Sequence, residues 1–268
     1  KINARHALDI RKNIITATVK TFQPQLFIVD KEPLGLKREV LPALQWLRRN
    51  RPGTRTILGL RDIMDDAQTT RQEWRDKGVY QILEELYSEI WVYGNRELYD
   101  PIREYGISDA VSAKIHFTGY IPRKVPSPEG VQNVRKEHGL QEGDKLVVVT
   151  TGGGGDGFTV MDTYLKMLET APAPFKSILI TGPFMPKSER KNLNKRCRKL
   201  GVRMHHFYRQ MEKIFAAADL VICMGGYNTL CEILSQGTVS LVVPRDIPRH
   251  EQLIRAETSK ISPVRPNS

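Results

Sequence analysis

The sequence has 268 residues, of which 40% are hydrophobic, and this is enough to bury a sizeable core and to form two domains. No apolar run approaches the length of a transmembrane span, and the three cysteines lack the CxxC spacing of a zinc site. A membrane-spanning protein and a zinc protein are therefore disfavoured. We expect a cytoplasmic protein in a reducing compartment. The formal charge of +11 raises the question of an anionic partner.

The first half of the chain alternates short apolar runs with longer amphipathic segments. Runs of this kind that are bounded by glycine and proline predict strands, and the longer segments predict helices. The predicted order is helix 3–22, strand 26–29, helix 37–50, strand 56–60, helix 71–88, strand 89–93, helix 96–105 and strand 115–119. Such alternation indicates an α/β fold with a parallel sheet.

A proline-rich segment interrupts this pattern near the middle of the chain. Three prolines lie between residues 121 and 130, where apolar residues are few. Segments of this composition seldom belong to a core. We therefore predict a first domain over 1–121, a linker over 122–142 with a short helix near 131–138, and a second domain over 143–268.

The second half of the chain repeats the alternation and adds two glycine turns. The predicted order is strand 146–150, helix 158–168, strand 177–181, a basic helix that starts at residue 187, strand 202–207, helix 211–218, strand 220–223, helix 228–235 and strand 239–244. A glycine run follows the first of these strands, and Gly225-Gly226 follows strand 220–223. Because ligands of open α/β sheets bind at the carboxyl ends of strands, both turns are predicted to border a binding site.

Much of the positive charge lies in residues 187–203. Leu193, Cys197 and Leu200 form an apolar stripe at helical spacing beneath the basic residues. This pattern favours the solvated face of an amphipathic helix over a binding patch. Aromatic residues do not interleave with these charges, so we expect no nucleic-acid partner. Attraction to anionic membrane headgroups stays open.

The helix after Gly225-Gly226 is predicted to begin with unpaired N–H groups, and helix N-termini of this kind attract anions. Glu232 lies about 6 Å from that terminus, at roughly 1.5 Å per residue. If a diphosphate caps the terminus, this offset suits a sugar diol next to it. The alternative is an ordinary exposed carboxylate on a helix surface.

The other glycine turn is the run Gly152 to Gly157, which allows close backbone approach to a phosphate. It has neither the GxGxxG spacing nor a following Lys-Ser/Thr, so it is not a dinucleotide fingerprint or a P-loop. A glycine cluster alone is a turn about as often as a phosphate site. Together with the second glycine turn and Glu232, it favours a nucleoside-diphosphate ligand.

A family resemblance rests on a pattern in residues 216–252. The residues that carry it are Gly226, Thr229, Glu232, Gly237, Pro244, Glu251 and Gln252. This stretch resembles the donor-binding segment of GT-B glycosyltransferases, in the branch that contains the peptidoglycan N-acetylglucosaminyltransferase. Residues 28–35 and 58–66 resemble a group of bacterial predicted glycosyltransferases. The resemblance implies an α/β GT-B fold of two Rossmann-like domains with parallel sheets, the first of them incomplete.

The resemblance also implies a set of donor-binding residues. In this set the glycine turns contact the diphosphate, Glu232 holds the ribose, Gln252 reads donor-sugar hydroxyls and Phe207 lies near the base. The complete set is Gly153, Gly154, Gly155, Asp156, Gly157, Phe207, Gly225, Gly226, Asn228, Thr229, Glu232, Glu251 and Gln252. The sequence departs from the family pattern where Glu251 replaces the first glutamine of a pair, and at Gly155 and Asp156, where a Ser/Gln-like pair is common.

The implied reaction is transfer of a hexose-type sugar from a nucleoside-diphosphate sugar, with uridine or thymidine as the nucleoside, to an acceptor hydroxyl. No cofactor or metal is expected, although Asp62 to Asp66 offer the hard oxygen ligands that magnesium prefers. The general base cannot be named, because in relatives it lies near a first loop that this sequence lacks. Asp30 and Glu32 are candidates on the acceptor side.

The acceptor is expected to be lipid-linked or a saccharide, and the protein to be cytoplasmic or peripheral at the inner membrane face. Two alternatives stay open. One is a non-hydrolysing sugar-nucleotide epimerase, which shares the fold and the phosphate turns. The other is a non-catalytic donor-binding subunit that needs a partner for its acceptor side.

Overall fold

The computed structural model describes residues 3–171, 173–245 and 247–259. The chain forms two compact units, one up to Tyr120 and one from Ile121 onward. Within the described residues, none of the helices has both the length and the apolarity needed to cross a bilayer. The predicted α/β class with parallel sheets is confirmed, because every strand pair in both units is parallel.

The first unit is a four-stranded sheet with helices around it. Its strands lie in the order β1-β2-β3-β4, which is also their order in the chain. Its elements are α1 (Ala4–Phe22), β1 (Leu26–Asp30), α2 (Leu41–Asn50), β2 (Arg55–Arg61), α3 (Ala67–Asp76), α4 (Val79–Leu86), β3 (Glu89–Tyr93), α5 (Pro101–Tyr105), α6 (Asp109–Ser112) and β4 (Ile115–Phe117). Leu58, Leu60, Ile90 and Val92 of the two central strands are fully buried in its core.

Three predicted helices of this unit have different bounds in the structure. The predicted helix 71–88 is two helices, because Gly78 takes a left-handed φ of 64° between them. Helix 37–50 begins only at Leu41, since Lys37 has a φ of 49° that interrupts a helical path. Helix 96–105 is confined to α5, which begins at Pro101 after the capping side chain of Asp100.

The second unit is a five-stranded sheet in the order β7-β6-β5-β8-β9. Its elements are α7 (Pro128–Glu137), β5 (Leu146–Thr150), α8 (Phe158–Thr170), β6 (Lys176–Ile180), α9 (Lys187–Lys199), β7 (Arg203–His205), α10 (Met211–Ala217), β8 (Leu220–Cys223), α11 (Tyr227–Gln236), β9 (Ser240–Val242) and α12 (Glu251–Ser259). The chain runs from β5 outward to β6 and β7 on one side and returns through β8 and β9 on the other. The direction of winding therefore changes between β5 and β8, where open sheets bind ligands.

Much of the segment expected as a linker packs on the second unit. Val134 of α7 is buried in the core beside α10. Arg135 donates hydrogen bonds to the carbonyl oxygens of Ala217 and Asp144, at 2.9 and 2.6 Å. The short helix expected near 131–138 is therefore present as α7, and it begins earlier, at Pro128, because proline is well suited to the first turn of a helix.

The basic helix α9 covers one face of the second sheet. Leu193 and Cys197 are buried, as the apolar stripe predicts. Arg196 lies over α8, where its guanidinium pairs with the carboxylates of Asp162 and Glu169. The positive charge of Arg196 is therefore neutralised by carboxylates of the same unit.

A histidine pair joins the C-terminal end of α7 to β7. Nδ1 of the buried His138 lies 2.9 Å from the carbonyl oxygen of Val134, so Nδ1 carries the proton. Nε2 of His138 must then accept, and Nε2 of His205 donates to it at 3.2 Å. Burial, and then the neighbouring His138, lower the pKa of His205 below its ordinary value of 6.5, while Glu137 opposes this shift.

This lowered pKa predicts a loss of stability in acid. Below pH 6.5 the unfolded chain binds a proton at His205 that the folded chain does not, so the free energy of unfolding should fall as the pH drops from 6.5 toward the folded pKa. The variant His205→Phe should show a shallower decrease. Urea-unfolding midpoints over this pH range test it, with the exposed neighbour His206→Phe as the matched control. Equal slopes for the two variants would contradict the assignment.

Candidate functional site

The two glycine turns of the second unit lie against each other. They follow β5 and β8, which pair with Val148 opposite Val221. A Cβ atom placed on Gly152 would lie 3.6 Å from Oγ1 of Thr229, in the first turn of α11. The loop after β5 and the N-terminus of α11 therefore form one continuous surface at the carboxyl edge of the sheet.

The N-terminus of α11 has no side-chain cap. Gly226 stands at the N-cap position with a φ of −62°, and it offers no side-chain oxygen to the first N–H groups. Tyr227 and Leu230 beyond it are buried, whereas Asn228 is exposed and Thr229 half-buried. The partial positive charge of the helix is thus presented at the surface beside the glycine loop.

Some of the site glycines are required by the fold itself. A Cβ on Gly154 would lie 1.9 Å from the carbonyl oxygen of Thr181, and its φ is 86°. A Cβ on Gly157 would lie 2.1 Å from Oγ1 of Thr151. Gly225 has a φ of 78° and would crowd the side chain of Val242 in the same way. Packing alone accounts for glycine at these positions.

Two other glycines are not explained by packing. Among the described residues, a Cβ on Gly226 would meet nothing within 4 Å, and one on Gly155 would meet only Cβ of Phe184, at 3.9 Å. Neither residue has a positive φ. Both positions could therefore hold alanine without a clash in the chain alone, and glycine there leaves space beside the exposed N–H groups.

Glu232 lies on α11 behind this surface. Its side chain is 24% exposed, and Oε1 lies 3.9 Å from Nε of Arg123. Burial raises the pKa of Glu232, and the positive charge of Arg123 offsets part of that shift. The carboxylate is therefore neither a freely solvated surface group nor one locked in a short ion pair, so it retains acceptor capacity.

A charged cluster joins three segments of the site. Arg245, in the loop after β9, bonds through Nη1 to Oδ2 of Asp156 at 2.5 Å and through Nη2 to Oε1 of Glu251 at 2.9 Å. Its backbone N–H also donates to Oε1 of Gln252, at 3.2 Å. Burial opposes the charge on Arg245, but its bonds to the two carboxylates outweigh burial and raise the pKa of the guanidinium.

The sequence predicts Asp156, Glu251 and Gln252 as site residues but does not predict Arg245. The structure brings all four together. A sequence signal existed, because Asp156 and Glu251 are two carboxylates among predicted diphosphate-binding residues, and such carboxylates indicate a nearby cation. However, the two partners Arg245 and Asp156 are 89 residues apart, and the sequence pattern does not pair them.

A second arginine was also missed. Arg255 of α12 is only 2% exposed. Its Nη1 donates to the carbonyl oxygen of Gly225 at 2.9 Å, and the guanidinium carbon lies 5.9 Å from the ring centre of Tyr227. This buried arginine fastens α12 to the glycine turn that starts α11.

Two exposed phenylalanines stand at the same edge of the sheet. Phe207 follows β7 and is 67% exposed, so it does not belong to the core. Phe184 follows β6 and is 75% exposed, and its backbone N–H donates to the carbonyl oxygen of Gly153 at 2.8 Å. Phe184 was not predicted as a site residue, although its ring touches the glycine loop.

In the first unit, the predicted acceptor-side residues lie at the end of β1. Asp30 is exposed, with Oδ2 at 3.9 Å from Nη2 of Arg61, and its carbonyl oxygen accepts the backbone N–H of Glu32. The aspartates considered for a metal serve local bonds. Asp62 accepts the backbone N–H of Ile63 and the hydroxyl of Tyr120, and Asp65 accepts the backbone N–H of Asp66.

The second unit, which contains the candidate site, is similar to known proteins. Residues 146–257 match the glycosyltransferase family 28 C-terminal domain. A curated relative from Caldanaerobacter subterraneus subsp. tengcongensis is a UDP-N-acetylglucosamine–N-acetylmuramyl-(pentapeptide) pyrophosphoryl-undecaprenol N-acetylglucosamine transferase. It is 28% identical over 125 residues, which are 44% of this chain and 34% of the relative. The chain thus spans about a third of that relative's length.

Solved structures share the fold of the chain. MurG from Acinetobacter baumannii superposes with a TM-score of 0.56 at 14% identity, covering 97% of this chain and 65% of that one. The UDP-GlcNAc 2-epimerase from Neisseria meningitidis, solved with UDP-GlcNAc, gives 0.58 at 13% identity, covering 97% and 74%. The chain therefore has the GT-B fold, its residues 146–257 match the model of the glycosyltransferase family 28 C-terminal domain, and it resembles the peptidoglycan N-acetylglucosaminyltransferase.

Proposed function

We propose that the protein transfers a hexose-type sugar from a uridine or thymidine diphosphate donor to an acceptor hydroxyl. The observation that carries this proposal is the junction of the glycine loop after β5 with the uncapped N-terminus of α11, with Glu232 further along the same helix. The family 28 domain match covers all of these residues. The transferase activity of the curated relative supports the same reaction.

The diphosphate is assigned to the junction of the two turns. Backbone N–H groups and a helix N-terminus bind phosphate without requiring a side chain. The space beside Gly226 and Gly155 lets the phosphate oxygens approach the backbone closely. As the sugar–phosphate bond breaks, the same groups stabilise the charge that develops on the leaving diphosphate, because they are already oriented toward it.

The nucleoside is assigned to the side of Glu232. An ionised carboxylate accepts hydrogen bonds from both hydroxyls of a ribose diol. The exposed rings of Phe207 and Phe184 lie at neighbouring strand ends and offer apolar faces to a base. On this assignment, no cofactor or metal takes part, and Asp30 or Glu32 contributes on the acceptor side.

We assign the acceptor to the class of lipid-linked or saccharide hydroxyls. The curated relative acts on an undecaprenol-linked acceptor, according to its name. We propose that the reaction takes place in the cytoplasm or at the inner face of the membrane, where such an acceptor would be met.

Incubation with radiolabelled UDP- and dTDP-sugars tests the activity. We expect label to move into an extractable product when a bacterial membrane extract is added, with release of the nucleoside diphosphate, and with no loss in EDTA. Conversion of the donor into its epimer would instead indicate the epimerase alternative. Binding of the donor with neither conversion nor transfer would indicate a donor-binding subunit.

Gly226→Ala tests the diphosphate position. The substitution should lower stability by less than about 1 kcal/mol, since the new Cβ meets no atom within 4 Å in the part of the chain that the structure describes. It should weaken UDP binding by about tenfold or more, because the methyl group occupies the approach to the helix N-terminus. Calorimetry measures the affinity. Gly53→Ala, in a turn of the first unit that is equally open, is the control, and equal affinity of both variants would refute the position.

Glu232→Ala tests the ribose position. Loss of hydrogen bonds to a charged acceptor, about 1.5 to 3 kcal/mol, should weaken UDP binding by about tenfold or more. Glu232→Gln should lose less, because an amide oxygen still accepts. A 2′,3′-dideoxy nucleotide should bind the wild type and the alanine variant almost equally. If Glu232→Ala behaves like the exposed control Glu142→Ala, the carboxylate does not hold the ribose.

A further inference from the structure

The charge balance of the site depends on Arg245. The glycine loop, which we assign to an anionic diphosphate, itself carries the negative charge of Asp156. A carboxylate at that position repels a second anion unless a cation neutralises it. In the structure the guanidinium of Arg245 does so, through the bond from Nη1 to Asp156.

The guanidinium retains capacity for further bonds. Nη1 bonds to Asp156 and Nη2 to Glu251, whereas Nε of Arg245 and Oε2 of Glu251 are buried and have no hydrogen-bond partner within the described part of the chain. Unpaired buried polar atoms cost free energy. The side chain of Arg245 is also 28% exposed, so it can turn toward a ligand at the surface.

The position of Arg245 ties it to both halves of the diphosphate site. Its backbone N–H bonds to the side chain of Gln252, and the carbonyl oxygen of Gln252 lies 3.7 Å from where a Cβ of Gly225 would stand. Arg245 therefore adjoins the turn that starts α11, while its guanidinium reaches the glycine loop. It spans the junction at which the diphosphate is assigned.

We infer that Arg245 binds the diphosphate of the donor, and that Asp156 occupies its guanidinium while the site is empty. This inference rests on the proposed function. An arginine fork matches two oxygens of a phosphate group, so a diphosphate can replace the single carboxylate contact with two charge-assisted hydrogen bonds. Glu251 stays bonded to Nη2 and keeps the side chain at the site during this exchange.

Removal of the Asp156 carboxylate should affect diphosphate binding in opposite directions, depending on whether Asp156 only positions Arg245 or competes with the ligand for it. If the carboxylate only positions Arg245, its removal should weaken diphosphate binding. If it competes with the diphosphate for the same guanidinium, its removal should strengthen binding. The sign of the effect of Asp156→Asn therefore separates the two roles.

The experiment measures affinities for uridine and UDP by calorimetry. Arg245→Met should weaken UDP binding by about tenfold or more, because charge-assisted hydrogen bonds are lost, and should leave uridine binding unchanged. Arg245→Lys keeps the positive charge but not the two-pronged guanidinium, so its UDP affinity should lie between those of the wild type and Arg245→Met. Asp156→Asn should tighten UDP binding by about two- to fivefold, and this gain should vanish in the Arg245→Met background.

Two controls accompany these measurements. Arg198→Met removes an exposed arginine from α9 and should match the wild type. Thermal unfolding of every variant checks that the fold is intact. If Arg245→Met unfolds, Arg245→Lys and Asp156→Asn still test the inference, because each must change the UDP affinity while leaving uridine binding unchanged.

The outcomes separate this inference from the proposed function. If the wild type binds UDP but Arg245→Met binds it equally well, or if Asp156→Asn weakens binding, the role of Arg245 is refuted and the nucleotide site stands. If Arg245→Met weakens uridine and UDP alike, Arg245 only supports the fold, and the inference is again refuted. If the wild type binds no nucleoside diphosphate, both fail together.

Discussion

The candidate site depends on the parallel pairing of β5 with β8. These strands are distant in the chain, and each ends in a glycine turn, so their pairing delivers both turns to one edge of the sheet. All residues of β5 are buried, which leaves hydrogen bonds and apolar contacts to fix the register. A slip in that register would separate the glycine loop from α11 and dismantle the junction, although no residue of either strand belongs to the site.

The sequence predicted the strands well and the long-range polar contacts poorly. Strands β3, β5 and β8 have the predicted bounds, since short β-branched runs between breakers have few alternatives. Helix ends were less accurate, because single residues such as Gly78 and Lys37 interrupt a periodicity that otherwise continues. The ion pairs of Arg245 were missed because they depend on how two loops meet, which no local pattern records.

The glycines show a further limit of sequence reasoning. Gly154 and Gly226 are both glycines in turns that follow strands, and from the sequence both are predicted to contact a phosphate. In the structure, Gly154 faces the backbone of Thr181, whereas Gly226 faces open space. Only the surroundings of each Cα atom distinguish a glycine that packing requires from one that leaves room for a ligand.

Arg255 gives the last described helix an influence on the start of α11. Its buried guanidinium donates to the carbonyl oxygen of Gly225, so the conformation of that turn and the docking of α12 are coupled. By thermodynamic linkage, a ligand that binds the turn more tightly when α12 is docked also favours the docked helix, and by the same free energy. Amide hydrogen exchange in α12 should therefore slow when such a ligand occupies the site.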